Sequence, residues 1–508
     1  MLNSRVFESI SKVTSRGKVS KKGKVSKTKV RIPWMKPLLP SSRKKERIDA
    51  GTLSSAQLSC ACVDSLLVSG FSRIFICVRQ KGFGLENIAE MTEPDISDAI
   101  YSASIEASAR AESSGGHVEG GGEADRTDPQ RPAVVRRVSR EEVRYPAGKR
   151  RAGFIINPRG GAGKALREWQ RLIPEVERVF GDVGYSVRVT TGPWDAAALA
   201  AELVAEGGYD VIVSVGGDGT HNEVANGLVR GGGPARGVDF ATLSIGSGSD
   251  LDKTLYKGAQ LSNLEKLELF ARGGAFPCDL GLLRCATADF QGTELPPRLR
   301  FLGPAEASGA QLQVAGYRGG AVAVAEGVEE RLFLNISGVG IGGAVCQVVN
   351  SSSKALGGFA TFCYATVRIS LTWTNPPVRW HHGPEEEWVY ARVYMFLCGN
   401  GQFQGGGMRP VPHADMADGL LDLVVIQDFG LQDVLKIPSI YAGTHFQHTP
   451  KVFGTRTTGV YIEPTDPHNP AWIEADGETP GKLPACFHVI PSSIHIIVPD
   501  QFLLSRLL

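Results

Sequence analysis

Gly216-Gly217-Asp218-Gly219-Thr220 carries the strongest chemical signal in this chain of 508 residues. It follows the apolar run Val211-Ile212-Val213-Ser214-Val215 and leads into the amphipathic stretch from Asn222 to Val229. A buried strand that stops in glycines and opens a helix leaves bare backbone N–H groups at a helix N-terminus, where phosphate binds. The glycines allow close approach and positive φ, and Asp218 adds a carboxylate that can reach a metal or a hydroxyl. With Thr220, Glu223 and Asn226-Gly227 following in this order, the pattern predicts a nucleotide-phosphate site rather than a plain packing turn.

Two more glycine turns follow apolar runs. Asn157-Pro158-Arg159-Gly160-Gly161-Ala162-Gly163-Lys164 comes after Gly153-Phe154-Ile155-Ile156, and Gly246-Ser247-Gly248-Ser249-Asp250 after Ala241-Thr242-Leu243-Ser244-Ile245. The first superficially looks like a P-loop. Ala165 stands where that loop needs Ser or Thr, which argues against a Walker-type NTPase. Late in the chain, Asp476-Gly477-Glu478 sets two acids on one turn. Transfer of a phosphoryl group to an alcohol needs an acceptor for the hydroxyl proton, and a carboxylate in a cleft supplies one. Asp-Gly is also a common hairpin signal, so this run and Asp418-Gly419 both keep a purely structural reading. His413, His445, His448 and His488 show no metal-ligand spacing.

These residues need elements to hold them. Strands at 153–156, 187–190, 211–215 and 241–245 alternate with helices at 166–180 and 196–206, which predicts a doubly wound parallel sheet. Its ligand belongs at the carboxyl ends of the strands, where all three glycine turns fall. The pattern changes near Asp279. Segments at 331–336, 389–398, 421–426, 459–462 and 487–498 are short and β-rich, with helices expected at 358–371 and 431–441 and a loop over 286–330. They predict a second, sandwich-like domain and a cleft between the two. The expected division is an extension over 1–150, an α/β domain over 151–278 and a β-rich domain over 279–498.

Composition narrows the rest. A hydrophobic content of 42% supplies ordinary cores, and no run reaches the 18 or so apolar residues of a membrane helix. Residues 1–48 hold fifteen Lys and Arg against Glu8 and Glu46. This basic, low-complexity start suits a targeting peptide, a solvated tail or a patch for anionic lipid. It lacks the aromatic interleaving of nucleic-acid recognition. Residues 111–150 read as a flexible linker, and the whole of 1–150 as a mostly disordered extension. The cysteines read as reduced core residues. Trp373, Trp380 and Trp388 suit a core better than a membrane interface.

The motifs at Asn157–Gly161, Gly216–Thr220 with Asn222-Glu223 and Asn226-Gly227, Gly246–Asp250, Asp418-Gly419-Leu420 and Asp476-Gly477-Glu478 occur in the order seen in diacylglycerol-kinase-type catalytic domains. Over about 151–498 the chain resembles the lipid kinase superfamily of bacterial diacylglycerol kinases and plant sphingoid-base kinases. The resemblance implies a β-rich lipid-binding domain and transfer of the ATP γ-phosphate to a lipid hydroxyl at a membrane surface. The sphingoid base is the preferred acceptor and diacylglycerol the alternative. A soluble-substrate kinase of the NAD kinase type and a non-catalytic lipid-binding relative remain as other classes. It also implies nucleotide contacts from Asn157, Thr190, Gly216, Gly217, Gly219, Thr220, Asn222, Glu223, Gly246, Ser247 and Gly248. Asp218 would organise Mg²⁺ and phosphate, and Asp476 or Glu478 would serve as base, Asp476 being preferred. A structural Mg²⁺ would sit on Asp418 with the carbonyls of Asp415 and Leu420. Import into a mitochondrion or plastid is the expected fate of the basic start.

Overall fold

In the computed structural model the described residues are 62–68, 74–79, 86–91, 138–245, 249–256, 259, 261–289, 322–325, 327–351, 365–366, 368–370, 372–383, 386–447, 449–466, 468 and 471–506. The chain divides into two compact units, 1–95 and 96–508. In the first, β1 (Cys62–Val68), β2 (Ile74–Arg79) and β3 (Glu86–Met91) form an antiparallel sheet in that order. The sequence reading did not anticipate these strands. The remainder of 1–137, including the basic start and most of the expected linker, lies outside the described residues.

The second unit begins its regular structure with β4 (Ala152–Ile156), α1 (Gly160–Phe180), β5 (Tyr185–Val189), α2 (Asp195–Glu206), β6 (Val211–Gly216), α3 (Asp218–Arg230) and β7 (Asp239–Ser244). These four strands are parallel in the order β5-β4-β6-β7. Alternate residues point to opposite faces, so Phe154 and Ile156 pack beneath α1 while Ile155 packs with α2 and α3. Helices α4 (Asp250–Leu255) and α5 (Asn263–Arg272) follow, and α5 joins α1 on its face through Leu267 and Phe270. The sheet is doubly wound, as the strand–helix alternation predicts.

The change of pattern near Asp279 lies inside one strand, β8 (Ala275–Ala286). Beyond it come β9 (Val322–Ala325), β10 (Val328–Phe333), β11 (Ile336–Gly340), α6 (Ile341–Ser351), β12 (Pro377–His381), β13 (Val389–Gly399) and β14 (Leu421–Gln427). Then follow α7 (Ile437–Tyr441), β15 (Val452–Thr457), β16 (Gly459–Pro464), β17 (Ile473–Ala475), β18 (Lys482–Ile497) and α8 (Asp500–Leu504). β18 pairs with β8 along almost its whole length and also meets β7, through Ile496 and Phe240. One sheet therefore runs from the nucleotide half into the β-rich half, in the order β15-β14-β13-β12-β16-β18-β7-β6-β4-β5.

The loop read over 286–330 is shorter than expected, because β9 and the start of β10 pair within it. Most of the helix expected at 358–371 lies outside the described residues, although 365–366 and 368–370 are helical. The helix expected at 431–441 is a 3₁₀ turn, Leu431–Lys436, followed by α7. Pro438 near its start cannot donate an N–H to a continuous ladder. Trp380 is buried in the second core against Phe396 and Phe453, while Trp388 is half-buried beside His381. Cys278, Cys285, Cys346, Cys398 and Cys486 are buried and in no disulfide.

Candidate functional site

Because β4, β6 and β7 are neighbours, their carboxyl-end turns are forced together. Asn157 N donates to Val215 O (3.0 Å), and Ile245 N to Gly216 O (2.7 Å). Asn157 Nδ2 donates to Thr220 Oγ1 at 3.0 Å, and Asn157 Oδ1 accepts from Arg159 N at 3.0 Å. A side chain at Gly216 would strike Thr220, since its β-carbon would stand 2.6 Å from Thr220 Oγ1. That glycine is a steric requirement of the first turn of α3. Thr190, buried at the end of β5, donates its N–H to Ile156 O.

Gly217 caps α3 in an extended conformation with no side-chain partner for the helix N–H groups. Those donors point at the carboxyl edge of the sheet, as a phosphate site requires. Asp218 Oδ1 accepts from Leu251 N at 3.2 Å. Desolvation raises the Asp218 carboxyl, and the nearby charge of Asp252 adds to it. Asp250 is raised by burial and then by Asp218, though Lys253 lies 3.0 Å away and Gly406 N donates to it at 2.8 Å. Two neighbouring carboxylates that both resist ionisation fit a divalent cation. Gly246, Ser247 and Gly248 lie outside the described residues.

From the same helix, Asn222, Asn226 and Arg230 face the second half of the molecule. Asn226 reads both backbone groups of Leu332, accepting from its N (3.1 Å) and donating to its O (3.0 Å). Asn222 Nδ2 donates to Leu332 O (2.9 Å) and to Asp476 Oδ2 (2.8 Å). Arg230 pairs with Glu330 at 3.3 Å, and Arg284 holds the same carboxylate at 2.7 Å. The spacing i, i+4, i+8 was the signal for this contact stripe, and the sequence reading took only its first two members.

The two acids of the late turn part company. Asp476 accepts from Leu334 N, Asn335 N, Ile336 N and Asn222 Nδ2 at 2.7, 2.9, 3.2 and 2.8 Å. Four donors fill the acceptor sites of a carboxylate. Burial pushes its carboxyl up to about 6 against those donors. This arrangement leaves the preferred base with no direction free for a substrate hydroxyl. Glu478 is different. Its Oε2 takes Arg331 Nη1 at 2.8 Å, and its side chain keeps 37% exposure. Its Oε1 lies 3.9 Å from where a β-carbon on Gly219 would stand. An acid of the second half thus faces the amide-lined turn of the first. Glu223 joins them: burial, then the charge of Glu478, pushes it up to about 7.

The expected structural-ion residues lie on the segment just before β14, where Met416 and Ala417 pack in the first core. Asp415 is committed to Arg506, with both oxygens within 2.7 Å of Nη1. Asp418 has a hydrogen bond from Leu420 N at 3.0 Å and no basic partner among the described residues. Burial, then Asp415 and Asp422, push it up to about 8. No three His, Cys, Asp or Glu side chains among the described residues converge on a metal-sized site. A cation here would rest on one carboxylate and backbone carbonyls, which is the donor set expected of Asp418 with Asp415 and Leu420. His221, missed by the sequence reading, bridges Ser214 and Ser244 at 2.8 and 2.9 Å inside the core.

The family models that match this chain agree with this layout. Residues 151–283 match the diacylglycerol kinase catalytic domain, and residues 335–498 the YegS C-terminal NAD kinase beta sandwich-like domain. The chain is 23% identical over 359 residues to the diacylglycerol kinase of Staphylococcus carnosus, covering 70% of this chain and 96% of that one. It is 23% identical over 365 residues to that of Staphylococcus aureus (strain bovine RF122 / ET3-1), with 71% and 96% covered. A crystal structure of a diacylglycerol kinase from Bacillus anthracis str. Sterne aligns at 16% identity and a TM-score of 0.45, covering 70% of this chain and 99% of that one.

Proposed function

We propose, for a chain that belongs to the diacylglycerol-kinase catalytic-domain superfamily of lipid kinases, that it transfers the γ-phosphate of ATP to the hydroxyl of a sphingoid base. The observation that carries the chemistry is Glu478 of the second half facing Gly219 in the turn of the first. In this reading the amides of 217–220, with Asn157 and Thr220, hold the ATP phosphates. Thr190 and Glu223 line the same edge. The acceptor oxygen forms a bond to the γ-phosphorus as the bond to the ADP oxygen breaks, and the hydroxyl proton passes to Glu478. Asp476 holds the backbone of 334–336 and orients this turn. Mg²⁺, when bound, neutralises charge on the phosphates; Asp218 and Asp250 are the residues that would hold it, and Asp418 a second, structural ion.

The sphingoid base is preferred for the likeness of the β-rich half to plant long-chain-base kinases. Diacylglycerol is the second reading, favoured by the names of the relatives. Purified full-length protein, labelled ATP and a panel of sphingoid bases, diacylglycerols, ceramide and NAD distinguish them. A labelled sphingoid base is the expected product; labelled diacylglycerol with untouched sphingoid base reverses the order, and labelled NAD overturns the lipid acceptor. The lipid acceptor places the reaction at a membrane surface in this reading, and no helix among the described residues is long and apolar enough to cross a membrane. The basic stretch 1–48 supports import into a mitochondrion or plastid. Sequencing the mature N-terminus tests that, and a chain still starting at Met1 on a cytosolic membrane counts against it.

A further inference from the structure

We propose that Arg331 and Trp194 form a strut that aims the Glu478 carboxylate at the phosphate-binding turn, a positioning role that rests on the reading of Glu478 as proton acceptor. Arg331, on β10, is almost wholly buried, with 6% of its side chain exposed. Its guanidinium carbon lies 4.2 Å over the ring of Trp194, which belongs to the nucleotide half. Nη1 binds Glu478 Oε2 at 2.8 Å, and Nη2 binds Glu329 Oε1 at 3.0 Å. The stacked ring fixes the plane of the fork, and a planar fork fixes the carboxylate that it holds.

The division between the two oxygens of Glu478 gives this contact a direction. Oε2 is anchored by Arg331, so Oε1 is left on the side of Gly219. A free glutamate side chain would sample many rotamers, and holding one oxygen removes most of them. The ring beneath is itself held in an uncommon conformation. Trp194 has φ +65°, in the left-handed region, just before α2. Its backbone N–H and that of Ala196 are taken by Glu223 from α3, the helix that begins at the phosphate turn. The strut therefore runs from α3 through Trp194 and Arg331 to the acid turn.

The surrounding charge explains why an arginine is needed. Glu478 is faced by Arg331 and Glu329 from β10, Glu223 from α3 and Cys346 from α6, with Glu474 and Asp476 in its own segment. Arg331 is the cation that divides its fork between Glu329 and Glu478. Without it, Glu478 would meet acids on two sides and lose the partner that anchors its Oε2.

The test compares Arg331→Gln, Arg331→Lys, Trp194→Ala and Glu478→Gln in the purified full-length protein, using ATP and whichever acceptor the panel labels. Arg331→Gln should lower kcat by roughly tenfold or more, with KM for ATP little changed. Trp194→Ala should lower kcat by less, and Arg331→Lys should recover part of the loss. Wild-type kcat in Arg331→Gln and Trp194→Ala, with Glu478→Gln inactive, would overturn the strut and leave the base reading standing. Normal turnover by Glu478→Gln would overturn the base reading, and the strut with it.

Discussion

An aspartate whose oxygens already take four hydrogen bonds has little left to offer a substrate, and a glutamate held by one oxygen has its other free. Asp476 and Glu478 are in these two states, two residues apart. Replacing Glu478 by Gln keeps shape and removes the proton acceptor, so turnover should fall about 10²-fold or more with melting unchanged. Asp476→Asn instead sets an amide against the N–H groups of 334–336. Stability should fall by about 2–3 kcal/mol, since buried donors lose a charged acceptor. Steady-state kinetics beside urea unfolding separates the cases. Lost turnover with unchanged unfolding in Asp476→Asn would return the base to that residue. The sequence put both acids on one turn. It carried no local sign of which was occupied, because the occupying N–H groups lie about 140 residues away.

At the scale of elements, α3 joins the halves. It presents bare amides at its N-terminus, a polar stripe to β10 through Asn222, Asn226 and Arg230, and Gly227 to α2. A β-carbon on Gly227 would stand 2.0 Å from Ala197 O, a backbone atom that cannot swing away. Alanine would add roughly 1 kcal/mol of helix propensity, but forcing two helices apart typically costs about 1–3 kcal/mol. At a contact this short the clash should win. Gly227→Ala is expected to lower the melting temperature and to raise KM for ATP, because the stripe moves with the helix. A variant that melts higher than the wild type would show that α2 yields freely. The strand–turn–helix units were legible because each is local, with glycines at the strand end and apolar residues at helical spacing. The β8–β18 ladder was not legible, since its partners are far apart in the chain and neither names the other.

Across the whole molecule, buried acids set how stability responds to pH. A carboxyl with a folded pKa above its unfolded one stabilises the fold fully below the unfolded value, and that contribution is lost as pH rises through the folded value. Glu223 at about 7, Asp418 at about 8 and Glu474 at about 8 all start from ordinary values of 3.8 to 4.5. His221, His488 and His495, each lowered to about 4 by burial, act in the opposite sense below their ordinary 6.5. Above that pH the histidines are neutral folded and unfolded, so the acids decide. Stability should fall from pH 6.5 to 8, by up to about 1.4 kcal/mol per pH unit for each acid still protonated, and the melting temperature with it. Asp418→Asn should flatten the slope, and Mg²⁺ should raise melting more at pH 8 than at 6.5, by less in that variant than in the wild type. A melting temperature that is level or rising across that range would contradict the assignment. The continuous sheet has a further consequence, for the order in which a ribosome delivers its parts. β18 emerges after every other strand, yet it supplies the long partner of β8 and the neighbour of β7. During synthesis the nucleotide half therefore waits with two open ladders, and a nascent chain stalled before Lys482 should be held by chaperones rather than bind ATP.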